Sequence, residues 1–183
     1  TIVNNEFREI MRMLNTRFEE FANDDTLLPE GREDEVDRIL DEIYEPINNG
    51  VYRAGFAESQ AAYDEAVDEL FEALSHWDDV LAEQRYLVGE EMTEADVAMF
   101  TTLVRFDEVY HTHFKCNVRR IVDYDNLWGY VRDIYQTEGV TETVDMSHIK
   151  EHYYTTHHDL NPKEIVPKGP SPGFDTPHHR DSI

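Results

Sequence analysis

Cysteine, lysine and long apolar runs are all scarce in this chain, and each scarcity excludes something. The 183 residues hold one cysteine, Cys116, so no internal disulfide framework is available and a reducing, cytoplasmic setting is expected. No apolar run approaches the ~20 residues needed to cross a bilayer, and no signal peptide is evident, so no membrane association is expected. Only four of the 16 basic residues are lysines (Lys115, Lys150, Lys163 and Lys168), against 40 acidic residues. The net charge of −24 would repel nucleic acid. There is no Gly-rich phosphate loop, no GxSxG elbow, no HExxH and no paired-carboxylate motif.

The acidity has two readings, an acidic interaction surface or adaptation to high salt, where self-repulsion is screened. The acids are spread along patterned helices and not gathered in a tail, which favours salt adaptation. The charge is also uneven. Residues 146–183 carry five acids and four bases, leaving −23 on the first 145 residues, and they hold six of the nine histidines.

What is present is helical periodicity. At 40% hydrophobic and 11% aromatic residues, the chain is long enough to bury one core. Thr93 is a strong N-cap, its hydroxyl placed for the Asp96 N–H and the Asp96 carboxylate for the Thr93 N–H, with Met92 and Val97 as a hydrophobic staple. Val97, Phe100, Thr101 and Val104 then recur at helical spacing toward Tyr110, and this should be the most buried helix. Before it, Phe7, Ile10, Met11, Leu14, Phe18 and Phe21 form one stripe after a cap at Asn4 or Asn5. A loop over Asn23–Gly31 follows. A second helix from Glu33 should kink or end at Pro46. VYRAGFA, Val51–Ala57, has no helical period and is expected to be an ordered connector. Further helices are expected over Ser59–Glu83, near Asp125–Gln136, and from an Asp145 cap through Tyr153. Five prolines beyond Leu160 exclude regular structure there. The class is all-α, a bundle of about six or more helices with an extended C-terminal tail.

Residue by residue, the chemistry stays open. Tyr52, Tyr110 and Tyr153 sit where helix packing does not demand them, and each is either a packed amphipath or a phenolic donor. Cys116 is either an inert buried thiol or a nucleophile activated by Lys115. His148 and His152 share a helix face, but no third ligand stands at a defined spacing, so no metal is expected.

Four segments read together are more specific: NNGVYRAGFA, RYLVGEEMTEADVAMFTTLVRFDEVYHTHFKCN, LWGYVRDIYQTEGVTETV, and IKEHYY with its proline-bearing tail. In this order they resemble the C-terminal helical domain of glutathionyl-hydroquinone reductases, the Xi-class, Omega-like glutathione transferases. The resemblance covers nearly the whole chain. It implies that residues 1–5 end an N-terminal thioredoxin-fold domain, that 6–159 form the helical domain, and that 160–183 form the tail. It implies a glutathione-dependent reduction of glutathionyl-hydroquinones by a homodimer. The nucleophilic cysteine would lie in the N-terminal domain, making this piece inactive alone and Cys116 a bystander. Tyr52, Tyr110 and Tyr153 match the family's quinol-site tyrosines. The family's Asn-Glu-Ser, whose Glu-Ser pair holds the γ-glutamyl end of glutathione, reads Asn5-Glu6-Phe7 here. Glu6 keeps its role in this reading, whereas the lost hydroxyl leaves room for another thiol such as γ-glutamylcysteine. The competing expectation is a non-catalytic binding or scaffold module with the same fold.

Overall fold

The computed structural model describes residues 2–21 and 26–183. Thr1 and the Asn23–Asp25 part of the expected loop lie outside them. Eight α-helices are described: α1 Phe7–Arg17, α2 Glu33–Ile43, α3 Gly50–Gly55, α4 Gln60–Val80, α5 Glu94–Arg105, α6 His111–His113, α7 Asp125–Gln136 and α8 Met146–Thr156. No strand occurs among the described residues, only a bridge between Tyr86 and Gly89. The all-α reading holds.

α5 is the axis of the bundle, and its start explains its burial. Thr93 and Asp96 form the reciprocal capping box. The Asp96 carboxylate accepts from the Thr93 N–H at 2.8 Å and the Thr93 hydroxyl at 2.9 Å. Its other oxygen accepts from the Leu87 N–H at 2.8 Å and the Tyr130 hydroxyl at 2.9 Å. One side chain therefore ties the cap, the preceding loop and α7 together. Burial pushes its pKa up, against the pull of these four hydrogen bonds. Ala95, Met99, Leu103 and Val104 then carry α5 into the core beside Leu40, Ile43, Leu70 and Leu74 of α2 and α4.

One segment follows the sequence reading and one differs from it. The regular α-helix stops at Ile43, just before Pro46, as expected. Tyr44–Asn48 is a π-helical turn, whose wider winding accommodates a ring that clashes with the i−4 carbonyl of a regular α-helix. The expected connector at Val51 is also helical, since α3 spans Gly50–Gly55. Its small residues serve packing. A Cβ on Gly55 would stand 2.4 Å from Phe114 Cγ, so only glycine lets α3 approach that ring.

The stripe of α1 forms as periodicity predicts, but it is not core. No residue of α1 is buried, and Leu14 remains 58% exposed and Phe18 52%. α1 is held by ions instead: Arg8 to Asp41 at 2.5 Å, Arg12 to Asp37 at 2.6 Å, and Arg12 to the buried Glu94 at 3.2 Å.

The tail is extended, as its prolines require, and it is docked. Phe174 stacks on Tyr135 of α7 with ring centroids 4.9 Å apart. The buried Arg180 guanidinium donates to the carbonyls of Leu81, the C-cap of α4, and of Gln84 and Arg85 in the loop that follows. Gly129 of α7 admits this approach, because a Cβ there would meet the His178 carbonyl at 3.2 Å. Among the described residues, no helix is long and apolar enough to cross a membrane.

The −24 charge makes stability depend on salt. The thermal midpoint of unfolding is expected to rise from low to multimolar KCl, because screening relieves self-repulsion in the compact state. A midpoint flat or falling with KCl would exclude salt adaptation.

Candidate substrate site around three tyrosines

Tyr52 projects from α3, Tyr110 ends the second π-helical turn, Phe106–Tyr110, and Tyr153 lies on α8. They are far apart in sequence, yet their hydroxyls meet. Tyr153 Oη stands 2.6 Å from Tyr52 Oη and 2.9 Å from Tyr110 Oη, and the remaining pair is 3.5 Å apart. The second π-helical turn sits where α5 would otherwise run on regularly, and such turns often re-aim side chains at functional sites. Behind the hydroxyls, Phe114 stacks on Tyr110 with ring centroids 5.4 Å apart.

All three tyrosines border a cavity of about 720 Å³, a size that suits a small aromatic ligand. Val97, Ala98 and Ile149 supply apolar wall, and Asn48, Thr101 and Thr102 supply polar groups. Asn48 is held by its amide, which donates to the Ala98 carbonyl and the Thr102 hydroxyl, both at 2.8 Å.

Burial sets the protonation of the cluster. Tyr153 is pushed up to about 12 by burial, with its neighbour phenols adding smaller effects of both signs and the Arg105 charge working against the rise. Tyr110 is raised further by deeper burial and by the neighbouring Tyr153 and Tyr52. Near neutral pH these two remain protonated donors. In the absence of a ligand the hydroxyls satisfy one another. An arriving anionic oxygen offers them a stronger acceptor, and a hydroxyl hydrogen rotates at little cost.

Other expected residues fall differently. Cys116 is fully buried, and burial pushes its thiol up to about 12, surroundings that disfavour the reactive thiolate. Glu6 is exposed at the cap of α1, where its backbone N–H donates to Asn4 Oδ1 at 2.8 Å. Phe7 is more than a missing hydroxyl. Its ring stacks on Tyr44 with centroids 6.4 Å apart and lines the cavity, turning that position into aromatic wall. Among the described residues no group of three or more His, Cys, Asp or Glu is placed to hold a metal. His148 and His152 do share a face of α8, and that face borders the cavity. Arg105, at the end of α5, borders it too. Nothing in the sequence marked Arg105, which reads there as an ordinary basic residue in a last helical turn.

A family model for the glutathione S-transferase C-terminal domain matches residues 60–133. Over 182 residues the chain is 50% identical to the glutathionyl-hydroquinone reductase YqjG of Escherichia coli, covering 99% of this chain and 56% of that protein. Residues 60–133 belong to the glutathione S-transferase C-terminal domain family. Among solved structures, a Xi-class glutathione transferase from Natrialba magadii superposes with a TM-score of 0.97 at 66% identity, over 100% of this chain and 56% of that one. The glutathione-bound structure of YqjG gives a TM-score of 0.95 at 49% identity, over 100% of this chain and 59% of that one. The chain thus spans just over half the length of the relatives it matches, and the match carries the transferase helical fold with relatives that are glutathionyl-hydroquinone reductases.

Proposed function

We propose that this chain is the substrate-binding helical part of a glutathionyl-hydroquinone reductase. The observation that carries the reading is the meeting of three phenolic hydroxyls at the edge of an aromatic-walled cavity. In the proposed reaction a cysteine thiolate attacks the glutathionyl sulfur of the ring's keto tautomer. The carbon–sulfur bond breaks, and its electron pair passes into the ring and onto the oxygen, leaving a phenolate. Tyr52, Tyr110 and Tyr153 are the donors proposed to receive that oxygen. A second thiol then resolves the mixed disulfide on the cysteine, and the disulfide of the two thiols leaves.

The attacking cysteine is not Cys116, which is sealed in the core. It is assigned to a thioredoxin-fold domain preceding this one, as the longer relatives leave room for, and the exposed apolar stripe of α1 is a suitable surface for that domain. The whole protein is proposed to act as a homodimer. Glutathione fits in part: Glu6 is exposed and offers a carboxylate to the γ-glutamyl ammonium, while Phe7 offers no hydroxyl, so γ-glutamylcysteine is the alternative thiol.

Steady-state assay of the full-length protein with a glutathionyl-hydroquinone and excess thiol tests this. Release of free hydroquinone with one equivalent of disulfide is expected. Binding of hydroquinones without turnover would favour the non-catalytic module instead.

A further inference from the structure

The cavity beside the tyrosines has the wrong charge for this protein. In the chain, 40 of 183 residues are acidic and only 16 are basic. Yet among the described residues the lining holds no carboxylate, while it holds Arg105, His148 and His152. Arg105 donates to the Thr101 carbonyl one turn back, which anchors the guanidinium at the end of α5 and leaves its other donors without an ion-pair partner among the described residues. The imidazoles stand on α8, spaced i, i+4, so that they share one face. Arg105 of α5 and the imidazoles of α8 border the same cavity, and the rest of the lining is apolar or neutral.

A helix C-terminus commonly carries a cation, so Arg105 alone would mean little. The lining as a whole means more. Acids elsewhere are spread over nearly every helix, and they stop at this cavity. A carboxylate there would repel an anionic ligand, whereas a neutral hydroquinone would be indifferent to it. The phenolic oxygen is already provided for by the tyrosine hydroxyls. A guanidinium on the same cavity serves a second negative group on the same ligand.

From this we propose that the ligand of this cavity is a hydroquinone bearing a carboxylate on the ring or on a short arm. Its phenolic oxygen lies toward Tyr52, Tyr110 and Tyr153, and its carboxylate lies at Arg105, with His148 and His152 along the facing wall. The inference rests on the hydroquinone reading above and adds the charge of the substrate to it. A carboxylate could also come from the thiol cofactor, and the experiment separates the two sources.

Equilibrium binding to the full chain is measured by tyrosine and tryptophan fluorescence, at the lowest KCl at which the chain remains folded. The probes are 2,5-dihydroxybenzoate, its methyl ester and S-methylglutathione. The acid is expected to bind on the order of tenfold more tightly than the ester, the scale of one charge-assisted contact. Arg105→Met should abolish that preference by weakening the acid far more than the ester, and Arg105→Lys should restore much of it. The preference should shrink in multimolar KCl. Equal binding of acid and ester to the unaltered chain would overturn the inference and leave the hydroquinone site standing. An Arg105-dependent affinity for S-methylglutathione with no acid preference would also overturn it, assigning Arg105 to the thiol. Binding of neither ring compound would remove the hydroquinone reading and the inference together.

Discussion

Asp96→Ala is expected to destabilise the fold by about 3–5 kcal/mol in denaturant unfolding, because it leaves several buried donors without an acceptor. Those donors are the N–H groups of Leu87 and Thr93 and the hydroxyls of Thr93 and Tyr130. Thr93→Ala removes only one of them and should cost about 1–2 kcal/mol, the range of an ordinary cap. The asymmetry is the point of the comparison. If Asp96 were merely one half of a local cap, the two substitutions would cost the same. Asp96→Asn preserves the volume and keeps one acceptor oxygen, while turning an amide toward other donors, so it should fall between them. A loss below about 1 kcal/mol for Asp96→Ala would mean that its partners find water or one another, and that Asp96 does not tie the loop to α7.

Why some of this fold was legible in the sequence, and some was not, follows from the range of each interaction. The start of α5 lies within four residues, so Thr93 and Asp96 announce it. Asp145 at the start of α8 is similar, accepting from the His148 N–H at 2.9 Å. α7 has a clear apolar stripe, but its cap comes from elsewhere: Asp78 of α4 accepts from the Asn126 and Leu127 N–H groups at 2.9 and 2.8 Å. No local pattern could reveal that. α3 was hidden for another reason. Gly50 and Gly55 lower helix propensity, and their value lies in close approach, Gly55 to Phe114 and Gly50 to Leu70 and the Glu45 carbonyl. The α1 stripe shows the converse, since periodicity identifies the apolar face of a helix without saying what covers it.

The candidate site divides the same way. Motif resemblance singled out Tyr52, Tyr110 and Tyr153, while their separation of up to 101 residues concealed that the hydroxyls touch. Arg105 borders the same cavity but carries no local signature, whereas Phe7 is marked in the sequence by the hydroxyl it replaces. The i, i+4 spacing of His148 and His152 correctly implied a shared face. It could not say that the face meets a cavity.

Tyr153→Phe in the full-length enzyme should lower kcat for thioether reduction by about tenfold to a few hundredfold, the range for loss of one preorganised donor. Tyr153 is the strongest of the three choices because its hydroxyl bridges the other two, at 2.6 and 2.9 Å, whereas Tyr52 and Tyr110 are 3.5 Å apart. Phenylalanine keeps the ring against Tyr110 and Phe114, so the aromatic wall survives and the fold should too. In the proposed reaction the phenolate forms only as the carbon–sulfur bond breaks. A donor aimed at it therefore acts mainly in the transition state, and binding of the hydroquinone product should change far less than kcat. Tyr52→Phe and Tyr110→Phe should lower kcat in the same direction. Pairs of these substitutions should fall short of the sum of the singles, because each donor orients the others. With Tyr110 raised by burial and Tyr153 pushed up to about 12, neither loses its proton below about pH 10, so no basic limb in the pH–rate profile should come from them. Equal losses in product affinity and kcat for Tyr153→Phe would assign the hydroxyl to uniform binding. An unchanged kcat would remove it from the chemistry.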